Sequence, residues 1–181
     1  MGFFPAVAAG WVISSENFLK DNKVITWLKL RGSIGQVGSD QIGSTRFAYL
    51  STLADAGGYN NFGINFDKGM GGLQEDQLAS EDITWEVATK YNLGLEVGLF
   101  NSLRATAEVF YEKRENIFLQ PQVSEVMGLQ KTMYANMGKM DNRGFEVTLE
   151  YNKMFSSGLM LTARGNYTFA RNKYIEDGKY Y

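Results

Sequence analysis

TKYNLGLEVGLF-NS-LRATAEVFYEKR, residues 89–114, decides the fold. Every odd position from 91 to 99 is apolar or aromatic (Tyr91, Leu93, Leu95, Val97, Leu99), and the even positions between are Lys90, Asn92, Gly94, Glu96 and Gly98. The second arm keeps the parity: Leu103, Ala105, Ala107, Val109 and Tyr111 alternate with Arg104, Thr106, Glu108, Phe110 and Glu112, and only Phe110 breaks the rule. Period two is the mark of a sheet with unlike faces. Directly opposed residues share a face, so the apolar sets coincide only when paired numbers sum to an even value. The tightest solution joins Leu99 to Leu103 across Phe100-Asn101-Ser102 and sets Tyr91 opposite Tyr111 and Lys90 opposite Glu112.

Alternation alone also suits half of a soluble sandwich, so a soluble all-β ligand-binding module is the alternative reading. Two features favour a membrane. The arms run about 10 to 12 residues, the length a tilted strand needs to cross a bilayer, whereas soluble strands peak at about 5 to 6. Tyr91 and Tyr111 close the apolar ladder at its open end and Phe100 stands at the turn, as aromatic girdles do at membrane interfaces.

The composition narrows the chemistry. Hydrophobic content of 44% marks a folded chain, and 20 glycines against 2 prolines suit long strands with glycine at kinks and tips. A net charge of −2 gives no reason to expect nucleic acid. Cysteine and histidine are both absent, which excludes structural zinc sites, thiol nucleophiles and Ser-His or Cys-His relays. Glu146 and Glu150 share a strand face with no partner that signals a raised pKa, so neither an enzyme activity nor a cofactor is expected. The longest apolar run, Ala6 to Ile13, is far short of a spanning helix. The amino terminus lacks the basic region and cleavage site of a secretory signal, and the chain reads as a piece cut at both ends.

Further strand segments lie on either side. Residues 3–13 form a short apolar strand, Ser14 or Ser15 is placed to cap a helical turn over Glu16 to Lys20, and residues 27–36 alternate Leu28, Leu30 and Ile34 with Lys29, Arg31 and Ser33. Residues 143–152 alternate Phe145, Val147, Leu149 and Tyr151 with polar neighbours, and a turn at 155–158 leads to Leu159, Leu161, Ala163, Gly165, Tyr167 and Phe169. The predicted fold is all-β, an antiparallel meander of about six long strands. Short links alternate with two long ones, 38–83 and 115–141, as in barrels with short periplasmic turns and long external loops. The first long link is patternless, with eight glycines, five aromatics and seven acids against two bases. Its Tyr49, Tyr59, Asn60, Asn61, Phe62 and Asp67, with Asn65, are the candidate substrate-binding residues, because aromatic faces beside amides suit sugar or peptide. In the second, Phe118, Leu119, Val123, Val126, Met127 and Leu129 belong either to a loop folded inward or to one that packs its own side chains, and the second is expected.

GFFPAVAAGW (2–11), WLKLRGSIGQVG (27–38), ITWEVATKYNLGLEVGLF (83–100) and NMGKMDNRGFEVTLEYN (136–152) resemble the barrel of SusC-like (RagA/SusC) TonB-dependent transporters of Bacteroidetes outer membranes. The likeness covers nearly the whole chain. It implies that residues 1–181 are a slice of a 22-stranded barrel, embedded in outer-membrane lipid, whose plug, signal and terminal strands lie elsewhere. It further implies a TonB complex acting through that plug, a SusD-like surface lipoprotein as partner, and a nutrient cargo, typically oligosaccharide, with peptide as a variant.

Overall fold

Antiparallel pairing brings apolar residues of successive strands onto one face, and the six period-two segments become six neighbouring strands. A computed structural model describes residues 2–20, 22–42, 47–122 and 133–179, with backbone alone for 56–60. The elements are β1 (Ala6–Val12), a 3-10 turn (Ile13–Ser15), β2 (Ile25–Ser39), β3 (Thr52–Phe62), β4 (Lys68–Gln77), β5 (Glu86–Leu99), β6 (Leu103–Leu119), β7 (Ala135–Met154) and β8 (Met160–Glu176). One sheet has the order β1-β2-β5-β6-β7-β8, a meander interrupted only where β3 and β4 form a separate two-stranded sheet.

The contacts divide the chain into two units, one of residues 1–38, 87–114 and 140–174, the other of 39–86, 115–139 and 175–181. In the first, β1 sets Val7 opposite Ile34 and Trp11 opposite Leu30. The central hairpin keeps the expected register: the Tyr91 and Tyr111 rings lie 6.0 Å apart, and Lys90 Nζ is 3.7 Å from Glu112 on the other face. Its turn closes through the Ser102 N–H on the Leu99 carbonyl at 3.0 Å. Phe100 and Asn101 both adopt left-handed backbone there, at φ 53° and 54°, a conformation asparagine tolerates better than phenylalanine. Further along the same face, Phe145 of β7 packs against both Tyr167 and Phe169 of β8 at 5.9 Å.

Leu93 is 52% and Leu95 40% exposed, and among the described residues only Ala48, Ala88 and Pro121 are buried apolar side chains. Without a core, burial in the chain itself cannot supply the stabilisation of roughly 25 cal/mol per Å² that offsets chain entropy in a soluble domain.

Three expectations are revised. The expected turn over Glu16 to Lys20 forms, with the Glu16 carbonyl accepting the Leu19 and Lys20 N–H groups, both at 2.9 Å, but Ser14 and Ser15 are themselves part of a 3-10 turn, and among the described residues neither hydroxyl caps it. Residues 38–83 are not patternless but contain the β3–β4 hairpin. Its glycines remove the side chains that would reveal alternation, and a register shift between Asp55 and Tyr59 resets the parity. Residues 115–141 are shorter as a link than expected, because β6 continues to Leu119 and β7 begins at Ala135. Phe118 on β6 stacks on Tyr134 at 5.3 Å, while Val123, Val126, Met127 and Leu129 lie outside the described residues.

Leu95→Arg in the full-length protein is expected to destabilise the membrane-inserted form by about 2–4 kcal/mol. Thr106→Arg, on the other face, should cost little. Urea titration of protein folded into vesicles measures both.

Candidate functional site

The polar face of the sheet is built around two glycines. A Cβ at Gly94 would lie 2.8 Å from Arg31 Nε and 3.1 Å from its Cζ, and one at Gly98 would lie 2.8 Å from Trp27 Cβ. Both positions are therefore notches in β5 across which side chains of β2 lie. Through the first, Arg31 passes over β5: its Nε is 3.6 Å from Glu96 Oε1, and its Nη2 donates to Glu108 Oε2 of β6 at 2.5 Å. Through the second, Trp27 turns its indole so that Nε1 donates to Glu96 Oε2 at 3.2 Å.

Lys90 and Arg114 both approach Glu112, and Arg164 Nε sits 3.2 Å from Glu150 Oε1. Each such half-exposed pair contributes at most about 1 kcal/mol. Their larger effect is geometric: they fix the carboxylates of Glu96, Glu108 and Glu112 against Arg31, Lys90 and Arg114 on one face of the sheet. A polar hollow of about 350 Å³ lies at the short-turn end of this face, lined among others by Trp27, Asn101, Arg104, Glu150 and Asn152. Among the described residues Arg104 makes no ion pair. No cluster of metal-ligating side chains occurs among the described residues. The face suits contact with a polar solute or a polar protein surface.

In the second unit, the chain between β2 and β5 forms an arm pinned at its base. The Ser80 N–H donates to the Ala48 carbonyl at 2.9 Å, with Ala48 fully buried and Ser80 7% exposed. Asn136 makes three bonds with one side chain. Its Oδ1 accepts the Thr84 N–H at 3.0 Å, and its Nδ2 donates to the carbonyls of Thr84 and Asn116, both at 2.9 Å. Asn116 takes left-handed backbone at φ 58°, which asparagine tolerates.

The candidate binding residues are partly brought together. Asn61 and Phe62 end β3, and Asp67 immediately precedes β4, so these three gather at the hairpin tip beside Gly63 at φ 95°. Tyr59 and Asn60 pair with Gly71 and Met70 through backbone, and their side chains lie outside the described residues. Tyr49 lies apart, before the base of β3, with its ring edge-on to Phe47 at 6.2 Å. Asn65 is in the tip turn. Sequence reasoning missed Asn136, whose partners are 20 and 52 residues away, and missed the β3–β4 face, whose glycines conceal its period.

The family model of the TonB dependent receptor-like β-barrel matches residues 1–181. TonB-dependent receptor SusC of Bacteroides thetaiotaomicron is 28% identical over 99% of this chain and 18% of its own length. TonB-dependent receptor P26 of Formosa agariphila is 30% identical over 91% of this chain and 16% of its own. The chain thus spans under a fifth of the curated relatives it matches. Among solved structures, the RagAB peptide transporter superposes with TM-score 0.73 at 22% identity, over 94% of this chain and 18% of that one. The RagAB peptide importer in its open-open state gives 0.75 at 21%, over 96% and 18%. At these identities the structural likeness concerns the fold.

Asn136→Ala in the full-length protein should leave the barrel folded, as judged by its heat-shifted electrophoretic mobility. Amide exchange at Thr84 should rise roughly tenfold or more, the equivalent of losing about 1.4 kcal/mol of local protection. Gly94→Val should displace Arg31 and expose the β2–β5 ladder to faster exchange, while Asn92→Val should not.

Proposed function

Because this chain belongs to the TonB-dependent receptor β-barrel family, we propose that it is part of the wall of an outer-membrane importer that takes up a solute too large to diffuse through a porin. The observation that carries this reading is the uncovered two-faced sheet. Its apolar side, with Leu93 and Leu95 exposed, suits lipid, and its ion-paired side with Trp27, Arg31, Glu96 and Glu108 suits a water-filled passage. A soluble module is disfavoured by the same fact, since it would leave that apolar side in water.

Oligosaccharide is the cargo class supported by likeness to SusC along almost the whole chain, and a SusD-like surface lipoprotein is the partner that likeness suggests. The import energy would come from the TonB complex acting through a plug. Tyr49, Tyr59, Asn60, Asn61, Phe62 and Asp67 are proposed as cargo-contacting residues of the arm. Peptide is a second cargo class. It is supported by likeness in fold to the RagAB peptide transporter and by the acidic chemistry of the arm.

Uptake of fluorescent oligosaccharides by cells expressing the full-length receptor tests the proposal. Accumulation should stop on deletion of the receptor gene and on dissipation of the proton gradient. Accumulation that continues in both cases rules out energised import through this protein. In the receptor, Phe62→Ala should raise the concentration for half-maximal uptake severalfold without changing its limit.

A further inference from the structure

We infer that the base half of the β3–β4 arm captures an extended cationic peptide by strand addition, an inference that rests on the importer reading and names its cargo class. Charge is segregated in this chain. Residues 47–86 carry Asp55, Asp67, Glu75, Asp76, Glu81, Asp82 and Glu86 against Lys68 alone, and 17 of the 18 basic residues lie elsewhere. The pairing then concentrates part of this charge on one face. Leu53 opposes Glu75 and Asp55 opposes Leu73, and opposed residues point the same way. The face is a square of two leucines and two carboxylates, the leucines 63% and 72% exposed. Neither Asp55 nor Glu75 makes an ion pair among the described residues.

The hairpin is a two-stranded sheet with no third strand on either side among the described residues. Two strands alone are marginal in water, and each outer edge offers unpaired N–H and C=O groups with no proline to block them. An extended chain adding to the edge of β4 would satisfy those groups and place every second side chain on the square. A cation then falls beside Glu75, and an apolar side chain two residues away falls beside Leu73. A neutral glycan gains nothing from two carboxylates, and an acidic chain is repelled by them. Charge within about one Debye length, near 8 Å at physiological salt, also speeds encounter with a basic ligand.

The test uses the full-length receptor in detergent and the fluorescent peptide Lys-Thr-Val-Thr-Lys-Thr-Val-Thr-Lys-Thr, with binding followed by anisotropy. The peptide should bind, and more weakly at 300 than at 20 mM salt. The pair Asp55→Asn with Glu75→Gln should weaken it roughly tenfold, and Leu53→Ser with Leu73→Ser by a similar factor. Glu81→Gln with Asp82→Asn, an equal loss of charge away from the face, should change it less than about twofold. The same peptide with Glu in place of Lys should not bind. Equal weakening by both charge-removing pairs would overturn the inference, as would no binding of the basic peptide or loss of a neutral maltooligosaccharide from the Asp55 and Glu75 variant. Equilibrium binding needs no TonB complex or proton gradient. A receptor that imports glycans but ignores the peptide therefore sinks this inference alone, and failed uptake with intact peptide binding sinks only the importer reading.

Discussion

A sheet one layer thick has no interior, and that constraint governs everything else in this chain. Hydrogen bonding between strands satisfies the backbone but leaves every side chain on one of two surfaces. Each surface must then match its own medium, because no third place exists to hide a mismatch. Lipid cannot pair backbone groups, which is why membrane-crossing strands must be completely laddered and why their outward positions tolerate no charge. The strict parity of Tyr91 to Leu99 and Leu103 to Tyr111 is the sequence form of that requirement. The ion pairs on the reverse side complete it: Glu96, Glu108 and Glu112 face Arg31, Lys90 and Arg114 there.

Parity is a local property, so the strands that obey it were legible. The register of the central hairpin follows from the sequence because only even-sum pairings keep Lys90, Glu96, Arg104 and Glu108 away from the leucines and the three-residue loop is the tightest of these, and the contacts of Tyr91 with Tyr111 and of Lys90 with Glu112 show that alignment. Family likeness in four blocks added what parity does not contain, the barrel to which the strands belong. The arm was the opposite case. Gly57, Gly58, Gly69, Gly71 and Gly72 carry no side chain to alternate, and the shift between Asp55 and Tyr59 breaks whatever period remains. A hairpin was therefore hidden in a stretch rich enough in acids and glycines to pass for an irregular link. Asn136 was hidden for another reason, since a side chain that serves backbone groups far away in sequence leaves no local trace.

The arm and the sheet also differ in how they are held. The first unit is fixed by continuous laddering over long strands. The arm is fixed at a few points, the Ala48–Ser80 bond and the three bonds of Asn136, and beyond these β3 and β4 pair only with each other among the described residues. Few buried apolar contacts and an open edge characterise segments that rearrange on binding rather than those that set a scaffold. The six residues proposed from composition are divided by this architecture, with Asn61, Phe62 and Asp67 at the tip and Tyr49 near the pinned base.

The notch at Gly94 has a mechanical consequence. Arg31 reaches over β5 to Glu108, so two strands that share no ladder are tied to each other and the strand between them is trapped beneath the guanidinium. Sliding any one of the three along its axis would break bonds to both of the others. In-plane shear of these three strands is thereby opposed by side chains as well as by backbone.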